Sequence, residues 1–201
     1  MRPEEIERTS MEIIEREMGP WTGPEENLQI VKRVVHTTAD FDFVKNMTFS
    51  PYAVTRGREA LRGGATVVTD TNMAAAGISK PASAQWGVRV VCHMADPDVA
   101  EEARKRGVTR AFVSMERAAR ETPEAVFAIG NAPTALIRLC ELIREGRAKP
   151  ALVVGAPVGF VNVVESKEIL AATDVPQIVA LGRKGGSPVA AAIVNALLYG
   201  L

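Results

Sequence analysis

The feature that most constrains the fold is the alternation of short apolar runs with helical patterns after residue 63. The runs are four to five residues long and rich in valine and isoleucine, which is typical of strands buried on both faces of a sheet. They are Ala65–Thr69, Val88–Cys92, Ala111–Ser114, Val126–Ile129, Ala151–Val154 and Gln177–Leu181. Helical patterns separate most of them. The sequence therefore predicts an α/β fold with a doubly wound, mostly parallel sheet and helices on both faces.

The segment before this alternation is predicted to be helical. One helix is expected at about residues 3–18 and a second from about Pro24 to His36. A third is expected to begin at Ser50–Pro51 and to end at Gly63–Gly64. The hydrophobic fraction of 47% is enough for a sizeable core, and no linker or repeat interrupts the 201 residues. We therefore expect a single domain, with a helical part at about 1–63 and a sheet-forming part at about 64–201.

Composition argues against several classes of protein. Lys+Arg and Asp+Glu both number 24, whereas a general nucleic-acid binder normally has a basic excess. No apolar run approaches the roughly 18 residues of a membrane-spanning helix, and the first residues are too acidic and polar for a signal peptide. We expect a cytoplasmic protein with no membrane or nucleic-acid partner. Cys92 and Cys140, both in apolar surroundings, are expected to be free thiols.

The first candidate for chemistry is His36, which ends an apolar helical pattern. A histidine exchanges a proton near neutral pH, and two threonines and two aspartates follow it within six residues. The alternative is a histidine that only caps a helix carbonyl. Arg33 lies three residues earlier and so projects from the same side of the helix. Ser10 lies on the apolar face of the first helix, where it either faces a ligand or bonds the carbonyl four residues earlier.

Further candidates follow the predicted strands, because ligands of open parallel sheets bind beyond the carboxyl ends of the strands. Asp70, Asn72 and Met73 come after one strand, although Asp70 is equally suited to capping the next turn. Gly159 and Phe160 lie in an irregular loop after another strand, of the kind that commonly lines a pocket.

The loop after the last predicted strand favours an anion site. Arg183 and Lys184 are followed there by Gly185, Gly186 and a helix start, and backbone amides at a helix N-terminus bind anions. The Walker and dinucleotide glycine spacings are both absent, so a carboxylate fits as well as a phosphate. The alternative is a tight turn with solvated cations.

Metal and nucleophilic catalysis have little support in the sequence. The two histidines are far apart and have no clustered carboxylates, so they do not form a metal ligand set. No serine lies in a Gly-x-Ser-x-Gly elbow. We expect neither a metal nor a cofactor. The remaining interpretation is a histidine that exchanges protons beside an anion-binding cavity.

Several longer motifs resemble those of the precorrin-8X methylmutase family, including its cobalt-precorrin-8 branch. The similarity covers nearly the whole chain. In chain order the motifs are Val35–Asp40, Thr69–Met73, Gly130–Leu136, Pro157–Val161, Glu165–Lys167 and Gly182–Ser187.

This resemblance implies an isomerase of cobalamin biosynthesis that moves a methyl group from ring carbon 11 to ring carbon 12 of a corrinoid. It implies that His36 is the proton donor and acceptor, that Ser10 and Arg33 touch the substrate, and that a homodimer carries the site near its interface. The other expected substrate contacts are Thr37, Asp70, Asn72, Met73, Gly159, Phe160, Lys167, Arg183, Lys184, Gly185 and Gly186. For Lys167, the alternative is that it only orients its loop. Two other functions remain open: a non-catalytic tetrapyrrole-binding protein and a phosphate-metabolite enzyme on a doubly wound sheet.

Overall fold

The computed structural model describes residues 2–201 as helices arranged around one six-stranded sheet. The helices are α1 (Pro3–Met18), α2 (Glu25–Thr38), α3 (Phe43–Asn46), α4 (Ala53–Arg62), α5 (Asn72–Gly77), α6 (Lys80–Gln85), α7 (Pro97–Arg106), α8 (Arg110–Glu121), α9 (Pro133–Arg144), α10 (Val163–Ala171) and α11 (Ser187–Tyr199). The strands are β1 (Met47–Phe49), β2 (Val67–Thr69), β3 (Val90–Val91), β4 (Val126–Ile129), β5 (Leu152–Gly155) and β6 (Gln177–Ala180).

The sheet confirms the predicted α/β class. Its strand order is β1-β6-β5-β4-β2-β3. Strands β2 to β6 pair in parallel, and only the edge strand β1 runs antiparallel, with Met47 opposite Ala180 of β6. The residues of β2, β4, β5 and β6 are all buried, which explains why these strands read as continuous apolar runs.

Helices cover both faces of the sheet, as predicted. Successive strand residues point to opposite faces. Val126 and Ala128 of β4 pack into one core with α2, α4 and α11, and α1 contacts α2 on its outer side. Phe127 and Ile129 of the same strand pack into a second core with α8, α9 and α10. The long helix α2, which carries His36, therefore lies on the same face of the sheet as α11.

The order of the parallel strands reverses between β2 and β4. β3 follows β2 in the chain and lies on one side of it, whereas β4 lies on the other side and the chain then continues outward to β6. Such a reversal opens a crevice at the carboxyl ends of the two central strands, and ligands of doubly wound sheets usually bind there. The loops after β2 and β4 therefore determine what this crevice can accept.

The strand predicted at Ala111–Ser114 is wrong, because these residues belong to helix α8. The Thr109 hydroxyl accepts a hydrogen bond from the Phe112 amide and so caps the helix at its start. The buried positions continue beyond the apolar run at helical spacing, to Met115 and Ala118. A four-residue run is too short to separate a strand from a buried helical turn, and the longer pattern decides for the helix.

Two further differences concern the segment before residue 64. The predicted helical part contains β1, which is only three residues long and takes its strand conformation from pairing with β6. The helix predicted from Ser50–Pro51 begins at Ala53 instead. Ser50 does not cap it, because its hydroxyl accepts the amide of Gln177 at 2.8 Å and so ties the turn to β6.

The structure confirms that Cys92 and Cys140 are unpaired. Burial raises the pKa of Cys140 to about 12, so its thiol stays protonated and unreactive. Among residues 2–201, no helix combines the length and apolar character needed to cross a lipid bilayer.

Candidate active site

His36 lies in the last turn of α2, on the side that faces away from the sheet. The neighbouring residues Val34 and Val35 are buried in the core, whereas the imidazole is exposed. A cleft of about 280 Å³ opens between α1, the end of α2 and the turn that follows it. Its lining residues are Ser10, Ile13, Ile14, Glu17, Val35, His36, Ala39 and Phe41. Most of this surface is apolar, so the cleft suits an apolar ligand placed against the imidazole.

The imidazole of His36 makes no hydrogen bond with any residue from 2 to 201. The helix end is satisfied by other groups: the Ala39 amide donates to the Val35 carbonyl at 2.7 Å, with Ala39 in the left-handed region at φ 53°. The hydroxyls of Thr37 and Thr38 donate to the carbonyls of Arg33 and Val34 at 2.9 and 2.8 Å. His36 therefore does not act as the helix cap, and its ring is free to bind a ligand.

Two predicted substrate contacts, Ser10 and Arg33, lie near His36, and the polar groups of both already bind other groups of the protein. The Ser10 hydroxyl lines the cleft but donates to the Ile6 carbonyl at 2.8 Å. Arg33 forms an ion pair with Glu7 at 2.9 Å, and its guanidinium lies 5.2 Å from the centroid of the Tyr199 ring. Glu7 is 53% exposed, so a ligand carboxylate can compete with it for Arg33.

The carboxylate of Asp70 fills the crevice between β2 and β4. It is fully buried, and it accepts the backbone amides of Gly130, Asn131 and Ala132 at 2.8, 2.8 and 2.6 Å. Burial raises the pKa of Asp70, while the three amide donors act in the opposite direction. The side chain thus joins the loops after the two central strands, and its oxygens are already used by protein donors.

Lys167, on α10, is fully buried beneath the loop that follows β6. Its ammonium group donates to the carbonyls of Gly182 and Lys184 at 2.7 and 2.8 Å. Burial lowers the pKa of Lys167 to about 8. The contacts of this lysine hold the loop from below, which corresponds to the alternative of an orienting role.

Lys184 connects the same loop to the segment that follows His36. Its ammonium group donates to Asp40 Oδ2 at 2.6 Å and to Asp42 Oδ2 at 2.7 Å. These hydrogen bonds lower the pKa of Asp40 and raise the pKa of Lys184. The Lys184 cation is thereby paired within the protein. The loop after β6 and the segment after His36, which both carry predicted site residues, are neighbours in the structure.

The start of α11 is closed by backbone contacts in this structure. The Gly186 amide donates to the Ala156 carbonyl at 2.8 Å, and the Ser187 hydroxyl lies 2.7 Å from the Thr71 hydroxyl. A Cβ at Gly185 would come within 2.6 Å of the Pro157 carbonyl oxygen, so only glycine lets the two loops approach this closely. The Gly186 amide and the two hydroxyls are thereby used within the protein, and they stabilise the loop pair.

An exposed apolar surface stands beside this loop pair. Phe160 is 83% exposed and Val161 is 78% exposed, and the Arg183 guanidinium lies 5.6 Å from the Phe160 ring centroid. Arg183 forms no ion pair with a carboxylate of the described chain, 2–201. The Gly159 amide donates to the Arg183 carbonyl at 3.2 Å, which ties the two loops together. A flat apolar ligand with peripheral carboxylates can pack against the ring and pair with the guanidinium.

The predicted site residues thus fall into two connected sets. One set surrounds the cleft on α1 and α2, and the other lies in the loops after the parallel strands. Asn72 and Met73 are exposed at the start of α5. The sequence does not predict the pairing of Lys184 with Asp40 and Asp42, because no local signal reveals contacts between residues so distant in the chain.

The chain is similar to known proteins over nearly its whole length. Residues 5–200 match the family model for precorrin-8X methylmutase. A cobalt-precorrin-8 methylmutase from Priestia megaterium is 46% identical over 197 residues, which covers 98% of this chain and 88% of the relative. A precorrin-8X methylmutase from Pseudomonas aeruginosa is 41% identical, covering 96% of this chain and 93% of the relative.

The fold is also similar to a solved structure. The crystal structure of precorrin-8X methylmutase from Thermus thermophilus superposes with a TM-score of 0.90 at 39% identity, and the match covers 96% of each chain. Similarity in sequence and in fold therefore extends over both the cleft at His36 and the loops at the carboxyl edge of the sheet. The chain belongs to the precorrin-8X methylmutase family, whose members are isomerases of cobalamin biosynthesis.

Proposed function

We propose that this protein moves a methyl group from ring carbon 11 to ring carbon 12 of precorrin-8X or cobalt-precorrin-8, with His36 exchanging a proton with the macrocycle. One observation carries the proposal. His36 is exposed at an apolar cleft and has no hydrogen-bond partner within residues 2–201, in a chain whose relatives bear both substrate names.

The chemistry needs a proton carrier and a rigid site. The bond from the methyl group to carbon 11 breaks as the bond to carbon 12 forms in the same molecule, so neither a methyl donor nor an oxidant takes part. Protonation redistributes charge in the conjugated ring system and lowers the barrier to the shift. A general acid typically contributes about 10²–10⁴-fold, and holding the macrocycle in one conformation contributes further.

The substrate is a flat, largely apolar ring edged with acetate and propionate groups. Ile13 and Phe41 supply apolar surface at the cleft, and Phe160 offers an exposed aromatic face. Arg33 and Arg183 supply the cations for carboxylates, because Glu7 is exposed enough to be displaced from Arg33. We assign substrate contact to these side chains first.

The remaining predicted contacts divide into supporting and peripheral groups. Asp70, Lys167, Gly185 and Gly186 shape the loops through buried hydrogen bonds or close backbone approach, and Lys184 joins them to the His36 segment. The other predicted substrate contacts lie on accessible surface and stay predictions: Ser10, Thr37, Asn72, Met73 and Gly159.

We further propose that the enzyme acts in the cytoplasm as a homodimer whose interface lies near the His36 cleft. Apolar side chains on this side of the chain are exposed: Ile6 is 52% exposed, Ile13 is 39% exposed and Tyr199 is 55% exposed. Analytical ultracentrifugation of the protein would test this, since a monomer at micromolar concentration would contradict it.

The experiment for the proposed reaction compares His36→Asn with His93→Asn. His93 is the matched control, because its ring is already bound to Asp96 at 3.1 Å. Absorption spectra recorded after addition of metal-free or cobalt-containing substrate should show conversion by the wild type and by His93→Asn. His36→Asn should still bind the corrinoid but convert it at least about 10²-fold more slowly.

Two results would contradict the proposal. Full activity of His36→Asn would remove the histidine from the mechanism. Tight binding by the wild type without any spectral conversion would favour a non-catalytic tetrapyrrole-binding protein instead. The relative rates with the metal-free and cobalt-containing substrates would identify the natural one.

A further inference from the structure

A second cavity, of about 360 Å³, lies on the other side of Arg33 from the cleft at His36. It opens between α2, α4 and the end of α11. Its lining residues are Gln29, Arg33, Arg58, Ala196, Tyr199 and Gly200. Two guanidinium groups, an amide and a phenol therefore border one cavity. The Gln29 amide already donates to Glu25 at 3.5 Å, so the guanidinium groups are the donors suited to an oxyanion.

The guanidinium of Arg58 has no acceptor in the described chain. Its Nε atom is buried without a hydrogen-bond partner. The carboxylates on the same two helices are used elsewhere: Glu25 accepts the Gln29 amide, Glu26 accepts the Thr55 hydroxyl, and Glu59 pairs with Arg56. A buried N–H donor without an acceptor is unfavourable. An incoming carboxylate would supply that acceptor.

Local structure holds Arg58 at this position. Its guanidinium lies directly against Gly200, the residue that ends α11, so a side chain at position 200 would collide with it. The cavity wall is completed by Tyr199, whose ring lies against Arg33. A purely structural explanation exists as well, because a cation at a helix C-terminus stabilises the helix dipole. The two explanations differ in what removal of the charge does to ligand binding.

The cavity is connected to the His36 cleft by one stripe of α2. Gln29, Arg33 and His36 are spaced four and three residues apart, so they lie on one side of the helix. At 1.5 Å per residue, Gln29 and His36 are about 10 Å apart along the axis. That is the scale of a tetrapyrrole with its side chains, so a substrate held at His36 can extend a carboxylate into the cavity.

We propose that this cavity binds a peripheral carboxylate of the corrinoid substrate, with Arg58 as the anchoring residue and Arg33 as its second cation. The inference rests on the proposed function and adds a substrate-binding residue to it. Glu7 pairs with Arg33 when no substrate is bound and is displaced on binding. Arg58 and Arg33 then form charge-assisted hydrogen bonds with the same anion.

The test compares Arg58→Gln, Arg58→Lys and Arg56→Gln in steady-state turnover. Arg56 is the matched control, because it is an exposed arginine of the same helix whose partner, Glu59, is also on that helix. Arg58→Gln should raise KM for the corrinoid about 10- to 100-fold, as expected for loss of a hydrogen bond between charged groups, with kcat changed less than about twofold. Arg58→Lys should recover part of the loss, and Arg56→Gln should match the wild type.

Thermal melting of each variant separates a structural role from a binding role. A lowered melting temperature with unchanged KM in Arg58→Gln, in an otherwise active enzyme, would overturn the anchor and leave the proposed function intact. Absence of corrinoid binding and turnover in the wild type would overturn both.

A titration with sodium propionate distinguishes the two sources of the carboxylate. Propionate should inhibit the wild type in competition with the corrinoid and have a much weaker effect on Arg58→Gln. If propionate raises the melting temperature of the wild type but not of Arg58→Gln while the corrinoid KM is the same in both, the cavity is a site for free anions. That result would overturn the assignment to the substrate.

Discussion

The ammonium group of Lys184 lies 2.6 Å from Asp40 Oδ2, and this contact joins the loop after β6 to the segment that follows His36. Asp42 binds the same ammonium group at 2.7 Å. The contact connects the two sets of predicted site residues, because Asp40 lies just after α2 and Lys184 just before α11. The position of the loop relative to the His36 cleft therefore depends on a small cluster of charges.

Replacing Lys184 with Gln should loosen this connection without unfolding the protein. All three side chains are accessible, so the effect on the global unfolding free energy should be small. Hydrogen exchange at residues 182–186 should become faster and kcat/KM should fall, because the loop and the cleft lose their fixed relation. Lys45→Gln, at an exposed lysine near the same turn, is the control. Unchanged exchange and activity in Lys184→Gln would show that the contact does not position the loop.

Replacing Lys167 with Met should change how stability depends on pH. The pKa of Lys167 is about 8 in the folded protein and near 10.5 when unfolded, so between these values the unfolded state binds more protons. The stability that Lys167 contributes therefore rises as pH increases from about 8 to 10.5, by up to about 3 kcal/mol. Denaturant unfolding measures the unfolding free energies of the wild type and of Lys167→Met. Over this range the two values should diverge, with the wild type gaining stability relative to the variant.

Lys149→Met is the control for that series, since Lys149 is exposed. The difference in unfolding free energy between Lys149→Met and the wild type should stay constant with pH. If the difference in unfolding free energy between Lys167→Met and the wild type is also constant with pH, the buried ammonium group is not the cause of the pH dependence.

Replacing Asp70 with Asn should destabilise the fold. One carboxylate oxygen accepts the Gly130 amide and the other accepts the amides of Asn131 and Ala132. The NH₂ group of Asn would face an N–H donor on one of these sides, which leaves at least one buried amide unpaired. The expected cost is about 1–3 kcal/mol in denaturant unfolding.

Asn72→Ala is the neighbouring control for Asp70→Asn. Asn72 is exposed, so its replacement should stay within about 0.5 kcal/mol of the wild type. Equal stabilities of the wild type and Asp70→Asn would show that the three amides find other acceptors.

Replacing Phe160 with Ala should affect ligand binding and leave stability unchanged. The ring is 83% exposed and buries little surface in the chain alone. If it packs against the macrocycle, its removal should weaken corrinoid binding by about tenfold, in line with roughly 1–3 kcal/mol for a buried aromatic side chain. Fluorescence or absorption titration with the corrinoid would measure this.

Tyr52→Ala supplies the comparison, because Tyr52 is a similarly exposed aromatic residue, at 75%, on a different turn. It should bind the corrinoid as the wild type does. Equal weakening in both variants would assign the effect to general surface apolarity.

The sequence predicted the sheet better than it predicted the contacts within the site. Val126–Ile129 and Gln177–Leu181 were identified from residue type and length, because a strand buried on both faces is apolar throughout. The apolar run Ala111–Ser114 predicts a strand, but buried positions continue at helical spacing to Ala118, and the segment is a helix.

The candidate site was predicted as a set of positions, and their partners were not. His36 was found from its residue type, and the structure shows that its ring is free of protein hydrogen bonds within residues 2–201. Asp70 was expected to contact a ligand or to cap a turn, and it lies instead against three amides about 60 positions later in the chain. Arg58 belongs to no motif, and only the geometry of the cavity indicates a role for it.

The sequence by itself determined the α/β class, the family resemblance and the candidate histidine. These depend on the periodicity of hydrophobic residues and on residue types at short spacing. The tertiary structure decided that Lys184 meets Asp40, that Asp70 fills the crevice between the central strands, and that Arg58 and Arg33 border one cavity. Such pairings depend on distances between side chains far apart in the chain. Those distances exist only once the strands are ordered and the helices are packed on the sheet.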